Sequence, residues 1–271
     1  MIGEEIKNRK GARKVQDIPR DVLELLNGGT IPTVNLTEWL AVDQTALIKN
    51  TFPGIGLEDS IVAITDEIGQ QQKPSTMGSI KLIGQHLYAY CRRSKALAST
   101  IERLSDHQSD TVRCYATYLI ALDSDLSVSE KLDRSRRLIA DQHFGVREIT
   151  WMALRPEIAA NLSESIEVLS EWTTDTDENI RRFTTESTRP RGVWCKHIEE
   201  LKENPERALP ILDPLKSDSS RYVQDSVGNW LNDASKSNPE FVVGLCEKWK
   251  AESPTAETDK IIKRALRTVM K

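Results

Sequence analysis

The chain has 271 residues, 38% hydrophobic and 29% charged, with 13 Gly, 11 Pro and a formal net charge of −4. That length can bury a sizeable core, as one extended repeat array or two ordinary domains, and a composition poor in Gly and Pro but rich in Leu, Ala, Glu, Arg and Lys predicts helix. No apolar run approaches the roughly 18 residues of a membrane span, and the charged opening MIGEEIKNRKGARK has no apolar stretch behind it, so a cytosolic protein without a secretory signal is expected.

Residues 1–20 form a basic N-terminal segment: Lys7, Arg9, Lys10, Arg13 and Lys14 stand together with no acid among residues 7–14. It reads either as a solvated tail or as a nucleic-acid contact. Residues 20–105 carry helical periodicity without a clear repeat, in DVLELLNG, in VNLTEWLAVDQTALIKNTF and in a helix near 57–72, with breaks at Gly28-Gly29 and Pro53-Gly54.

Residues 106–271 repeat. The segments 110–122, 144–156, 178–190, 221–233 and, more loosely, 259–271 each place a β-branched apolar residue before a basic or amide one: Val112-Arg113, Val146-Arg147, Ile180-Arg181, Val223-Gln224 and Ile262-Lys263. The anchors are 34, 34, 43 and 39 residues apart, the range of helical-hairpin units, and the V-R-x-x-A-like phrase is typical of the second helix of a HEAT unit. Between them, 126–142 and 162–175 space Leu, Ile and Val as partner helices, and Asn238-Pro239 before FVVGLCEKW marks a helix start. The expected fold is an all-α, HEAT-like repeat solenoid, a single domain with a concave groove.

In such a stack the anchor and the residues four and seven after it are buried, and positions two and six after it share a different face. That face collects Cys114/Tyr118, Glu148/Met152, Arg182/Glu186, Asp225/Asn229 and Arg264/Thr268; the neighbouring strip, five after each anchor, adds Thr117, Trp151, Thr185, Gly228 and Arg267. A second basic run, Arg181, Arg182, Arg189 and Arg191 against only Glu186, lies beside it. A solvated face would also be polar. The four cysteines and four histidines lack metal-ligand spacing, and no nucleophilic set or phosphate-cradling loop is recognisable. Glycosidic hydrolysis fits this inventory. Departure of a base builds positive charge on the sugar, which a carboxylate can stabilise while orienting water. An N3- or N7-alkylated purine is already cationic and leaves without a general acid.

The segments V-R-E (146–148), N-I-R-R-F-T-T-E-S-T-R-P-R-G-V-W (179–194) and Y-V-Q-D-S-V-G-N-W-L-N-D-A-S-K-S-N-P (222–239) are similar to AlkC-type alkylpurine DNA glycosylases, as are K-G-A-R-K-V-Q-D-I-P (10–19) and V-N-L-T-E-W-L-A-V-D-Q (34–44). The resemblance implies excision of cationic alkylated bases, 3-methyladenine first, from duplex DNA, by a monomer needing no cofactor or metal. It puts Glu148 at the catalytic carboxylate, with Asp225 as second choice, and Arg182 at a phosphate-binding arginine beside Glu148 on the concave wall, with Glu186 as its supporting ion-pair partner. The wider DNA-binding set is Arg147, Arg189, Arg191, Trp151, Trp194, Asn229 and Trp230, although the related AlkD branch has its tryptophan where Asn229 stands, one residue before Trp230. The alternatives are a HEAT-like protein that binds damaged or branched DNA without cleaving it, and a protein-interaction scaffold.

Overall fold

The computed structural model describes residues 3–192 and 195–270, and every regular element among them is helical. In chain order these are α1 (Glu4–Lys7), α2 (Arg20–Asn27), α3 (Leu36–Ala41), α4 (Gln44–Thr51), α5 (Ile61–Gly69), α6 (Thr76–Ser94), α7 (Leu97–Ser105), α8 (Asp110–Ala121), α9 (Val128–Ile139), α10 (Phe144–Ala160), α11 (Leu162–Glu171), α12 (Glu178–Glu186), α13 (Glu199–Glu203), α14 (Leu209–Leu212), α15 (Arg221–Ser235), α16 (Pro239–Glu252) and α17 (Ala256–Ala265), with short 3₁₀ turns between several of them. No described helix is long and apolar enough to cross a membrane.

Side-chain caps decide where many of these helices begin. Ser127 and Glu130 form a capping box on α9, and Asn238 accepts from the Phe241 amide with Pro239 at the first turn of α16. Each such cap contributes about 1 kcal/mol. Asp43 accepts from the Ala46 amide and so divides the periodic stretch 34–52 into α3 and α4.

The chain segregates into two compact units, one of residues up to Asp125 with Asp141–Ala153, the other of Leu126–Ala140 with Leu154 onward; α10 gives residues to both. In the first unit α6 and α7 pack on α8, over a core of Leu47, Ile48, Phe52, Ile80, Ile83, Leu87, Tyr115 and Leu119. In the second, α15 packs on α12, α16 and α17, and α11 on α9, around Leu132, Ile158, Leu169, Val227, Leu231 and Trp249.

The repeat stripe is buried where its spacing puts it. Val112, Val146, Ile180 and Val223 are at most 3% exposed, and Ala116, Thr150, Thr184 and Val227, four residues later, are fully buried. In the fifth repeat the register moves by one: Ile261, not Ile262, is the buried anchor, because α17 turns Thr258, Ile261 and Ala265 inward. In the first four repeats the strip five after the anchor, expected to border a groove, is instead a packing seam, whereas Arg267 in the fifth is exposed. Thr117, Trp151 and Thr185 are buried, and a side chain at Gly228 would collide with Arg264, which lies against α15.

In the first four repeats the basic or amide residue after the anchor closes the turn before its own helix. Arg113 Nη1 donates to the His107 and Gln108 carbonyls, Arg147 Nη1 to those of Asp141 and Gln142, Arg181 Nη1 to those of Asp175 and Thr176, and Gln224 Nε2 to those of Asp218 and Ser219. In every case the acceptors lie six and five residues earlier. An aspartate in these turns completes the joint by accepting from the amide two residues on, as Asp141, Asp175 and Asp218 do. Arg113 further forks onto Asp141, and Arg181 onto Asp218, through Nε and Nη2. Arg181→Ala strands Asp218, whose side chain is 6% exposed, and is expected to cost about 2–4 kcal/mol in urea unfolding. Arg20→Ala, at a side chain 93% exposed, should stay within about 0.5 kcal/mol of the parent; equal effects at the two sites would contradict the joint.

Candidate functional site

Two groupings of polar side chains carry the expected site residues, one in each compact unit. In the first, Glu148 sits half-buried on α10 and its Oε2 accepts from Trp151 Nε1 at 2.8 Å, one turn along the same helix. The indole is 3% exposed, so packing fixes it and it in turn fixes the carboxylate rotamer. Trp151 therefore acts on Glu148 rather than presenting a ring to a ligand. Arg147, expected to bind DNA, has its Nη1 engaged in the turn joint described above, for the geometric reason common to all the repeats.

In the second unit the grouping centres on α12. The half-buried Arg182 lays its guanidinium over the Tyr222 ring, 4.3 Å from the centroid, with Nη2 3.5 Å from Glu186 Oε2. Glu186 is only 5% exposed. Its Oε1 accepts from Arg189 Nη1 at 2.9 Å and its Oε2 from Ser226 Oγ at 2.8 Å. Burial alone would raise its pKa, but the Arg182 and Arg189 charges outweigh that and hold the carboxyl below the usual range. Arg189 is buried as well, doubly bonded to Asp233 and once to Glu186; burial would lower its pKa, and those two carboxylates raise it instead. It is a structural cation of a closed network, not an outward phosphate contact. The end of α12 is held by Arg155, 3% exposed, which donates to the carbonyls of Ser187, Arg189 and Lys196. Its burial lowers its pKa, since carbonyls rather than carboxylates face it directly.

The remaining residues separate cleanly. Asp225 is half-exposed on α15 and bonded to Arg264 Nη2 at 2.5 Å. Asn229, one turn on, is half-buried. Trp230, expected on the DNA face, is fully buried and donates to the Thr188 carbonyl at 3.0 Å: it stands one position round the helix from Asn229, enough to turn it into the core. Arg191 donates to Ser237 Oγ at 2.7 Å. Trp194 lies outside the described residues.

Tyr222 is the residue that sequence reasoning missed. It sits in the quoted Y-V-Q-D run, one before an anchor, and only the three-dimensional stacking on Arg182 singles it out. A second constellation also went unread. Thr33 donates to Asp110 through both N and Oγ1, and His143 Nε2 meets Thr33 Oγ1 at 2.9 Å and its carbonyl at 3.0 Å. Although these are the residue types of a nucleophilic triad, Thr33 is 4% exposed and its hydroxyl proton is committed to Asp110. The cluster pins the loop before α3 to α8 and α10; it is not poised to attack anything.

The α12 network yields a pH-dependent expectation. Glu186→Gln should cost about 2–4 kcal/mol at neutral pH, because buried Arg189 and half-buried Arg182 lose their shared carboxylate. The folded pKa of Glu186 lies below its unfolded value, about 4.3. Its contribution is thus complete above the unfolded pKa and is lost as pH falls through the folded one. Parent and variant should unfold at clearly different urea concentrations at neutral pH and converge in strong acid; a gap independent of pH would show that Glu186 acts by shape alone.

Residues 146–257 match the family described as DNA alkylation repair enzyme. An uncharacterized Bacillus subtilis (strain 168) protein, YhaZ, is 40% identical over 119 residues, which are 44% of this chain and 33% of that protein. Among solved structures, the chain is similar to the Pseudomonas fluorescens alkylpurine DNA glycosylase AlkC bound to DNA containing an abasic site analog, with a TM-score of 0.64 and 26% identity over 83% of this chain and 60% of that one. It is also similar in fold to AlkD2 from Streptococcus mutans, with a TM-score of 0.58 and 24% identity over 78% of this chain and 97% of that one. The chain thus spans a third of YhaZ and three fifths of the AlkC chain. Residues 146–257 thus match that family's model, and the all-helical fold is similar to the HEAT-like repeat fold of these two solved structures.

Proposed function

We propose that this chain is a monofunctional DNA glycosylase that excises cationic alkylated bases, 3-methyladenine first, from duplex DNA, with Glu148 as the catalytic carboxylate. The observation that carries the reading is the Glu148 carboxylate held at 2.8 Å by the buried Trp151 indole. It lies within the stretch that matches the DNA alkylation repair enzyme family. A cationic base is a good leaving group, so what lowers the barrier is stabilisation of the developing sugar cation and placement of water. A carboxylate whose orientation is set before substrate arrives does both without reorganising in the transition state. Arg182, stiffened by Tyr222 on one side and Glu186 on the other, is the side chain proposed to take a phosphate.

The burial of Trp151 and Trp230 favours one competing reading. With both indoles withdrawn from solvent, less aromatic surface remains to pack on a deoxyribose, as a protein that binds damaged DNA without hydrolysing it would tolerate. Release of free methylated base from methylated duplex DNA decides between them. Glu148→Gln is expected to lower the single-turnover rate about 10²–10³-fold, the scale of a lost transition-state contact, with duplex affinity retained. Asp225→Asn, at a carboxylate already bonded to Arg264, should cost less than about ten-fold. Base release by Glu148→Gln at the parent rate, or none by the parent, would overturn the glycosylase reading.

A further inference from the structure

The two basic runs of the sequence meet different ends. The run 181–191 is largely consumed inside its own unit: Arg181 on Asp218, Arg182 on Glu186 and Tyr222, Arg189 on Glu186 and Asp233. The run 7–14 is not. Its anchor is Arg9, whose Nε and Nη2 fork onto Glu38 at 2.9 and 2.8 Å, while Nη1 and Nη2 also reach the carbonyls of Ile6 and Pro32. Glu38 is 1% exposed and accepts from the Val34 amide as well. Beyond Arg9, Asn35 Nδ2 donates to the Ala12 carbonyl at 2.9 Å, and Thr37 Oγ1 to that of Arg13 at 3.4 Å. Gly11 has φ +73°, and a side chain there would fall into the Asn35 amide and Val34. Residues 9–13 therefore form a strap fastened along the start of α3, not a solvated tail.

That fastening leaves three cations, Lys10, Arg13 and Lys14, exposed and without an ion pair among the described residues. No nearby acid forms an ion pair with them among the described residues. Glu5, Asp17 and Asp21 line a hollow with Arg9, Gly11, Ala12 and Glu38, and the three cations do not line it. Lys7 keeps an acidic neighbour of its own, Glu4 at 3.6 Å. A row of unpaired cations on backbone already ordered by folding loses less entropy on capturing a polyanion than the same charges on a free tail.

We propose that Lys10, Arg13 and Lys14 form a separate phosphate-contact surface that grips the backbone of duplex DNA irrespective of damage; this rests on the DNA-binding part of the proposed function but not on its chemistry. Exposed Val15, Leu36 and Leu40 nearby raise an anionic membrane as the other polyanion. Against it, α1 and α3 have 4 and 6 residues, too short for an amphipathic helix lying in a bilayer interface.

The test replaces Lys10, Arg13 and Lys14 together with Gln and measures binding to a short unmodified duplex by fluorescence anisotropy over a salt series. Each lost phosphate contact removes about 0.9 from the slope of log K against log salt, so the slope should become shallower by roughly 2–3. The urea midpoint should not move, since all three side chains are exposed. A slope equal to the parent's overturns the strap surface while leaving the glycosylase reading untouched, and a parent that binds no duplex overturns both. Loss of sedimentation with phosphatidylserine vesicles, with DNA affinity unchanged, overturns it in favour of a membrane. A parent that binds duplex with the steeper slope but releases no methylated base leaves the strap standing and sinks the glycosylase.

Discussion

The joint between a turn and the helix that follows it governs this architecture. A helical repeat must reverse its chain every dozen residues or so, and each reversal strands backbone carbonyls that no helix satisfies. Here one side chain, placed just after the buried anchor, reaches back to the two stranded carbonyls in four successive repeats. Arginine suits the task because its planar fork has donors to spare: Arg113 and Arg181 close the turn with one nitrogen and grip a neighbouring turn aspartate with the others. Gln224 does the first half of the work without the second. The joint thus couples the local turn to the stacking of one repeat on the next, and it is why Val-Arg recurs as a phrase.

The same economy explains what could be read in the sequence and what could not. Burial of Val112, Val146, Ile180 and Val223 follows from helical spacing alone, because an apolar stripe has one place to go. Polar residues carry no such instruction. Arg147 and Arg182 sit one position apart in adjacent repeats and look alike as letters, yet the first turns back onto carbonyls and the second stacks on Tyr222. A rotation of one residue, about 100° round the helix, likewise separates half-buried Asn229 from fully buried Trp230. The Glu186–Arg189–Asp233 network was unreadable for a related reason. Asp233 lies 44 residues from Arg189, and nothing local marks a charged pair for burial.

Burying that network has a cost that its neighbours offset. One arginine and two carboxylates nearly withdrawn from water would each be unfavourable alone, and they persist because Arg189 meets both Glu186 and Asp233 at hydrogen-bond distance. Arg155 extends the pattern differently, meeting the carbonyls of Ser187 and Arg189 just past α12 and that of Lys196 further on. The result is a helix whose last turn cannot open without exposing paired charge, and Arg182 projects from that helix. Part of the stiffness at Arg182 is therefore inherited from the network at the end of its helix.

Glu148 obtains its stiffness by another route, and the difference bears on chemistry. A carboxylate locked by ion pairs, as Glu186 is, has little charge left to offer a developing cation. An indole N–H, as Trp151 supplies to Glu148, orients a carboxylate without itself bringing a charge. In the proposed reading Glu148, oriented by Trp151, is the carboxylate that meets the sugar cation, while Glu186 fixes Arg182. The buried Trp151 makes that division possible, since a solvent-exposed indole would compete with water for the same oxygen and leave the rotamer undefined. Replacing Trp151 with Phe keeps the packing and deletes the donor, which isolates the contribution of orientation from that of charge.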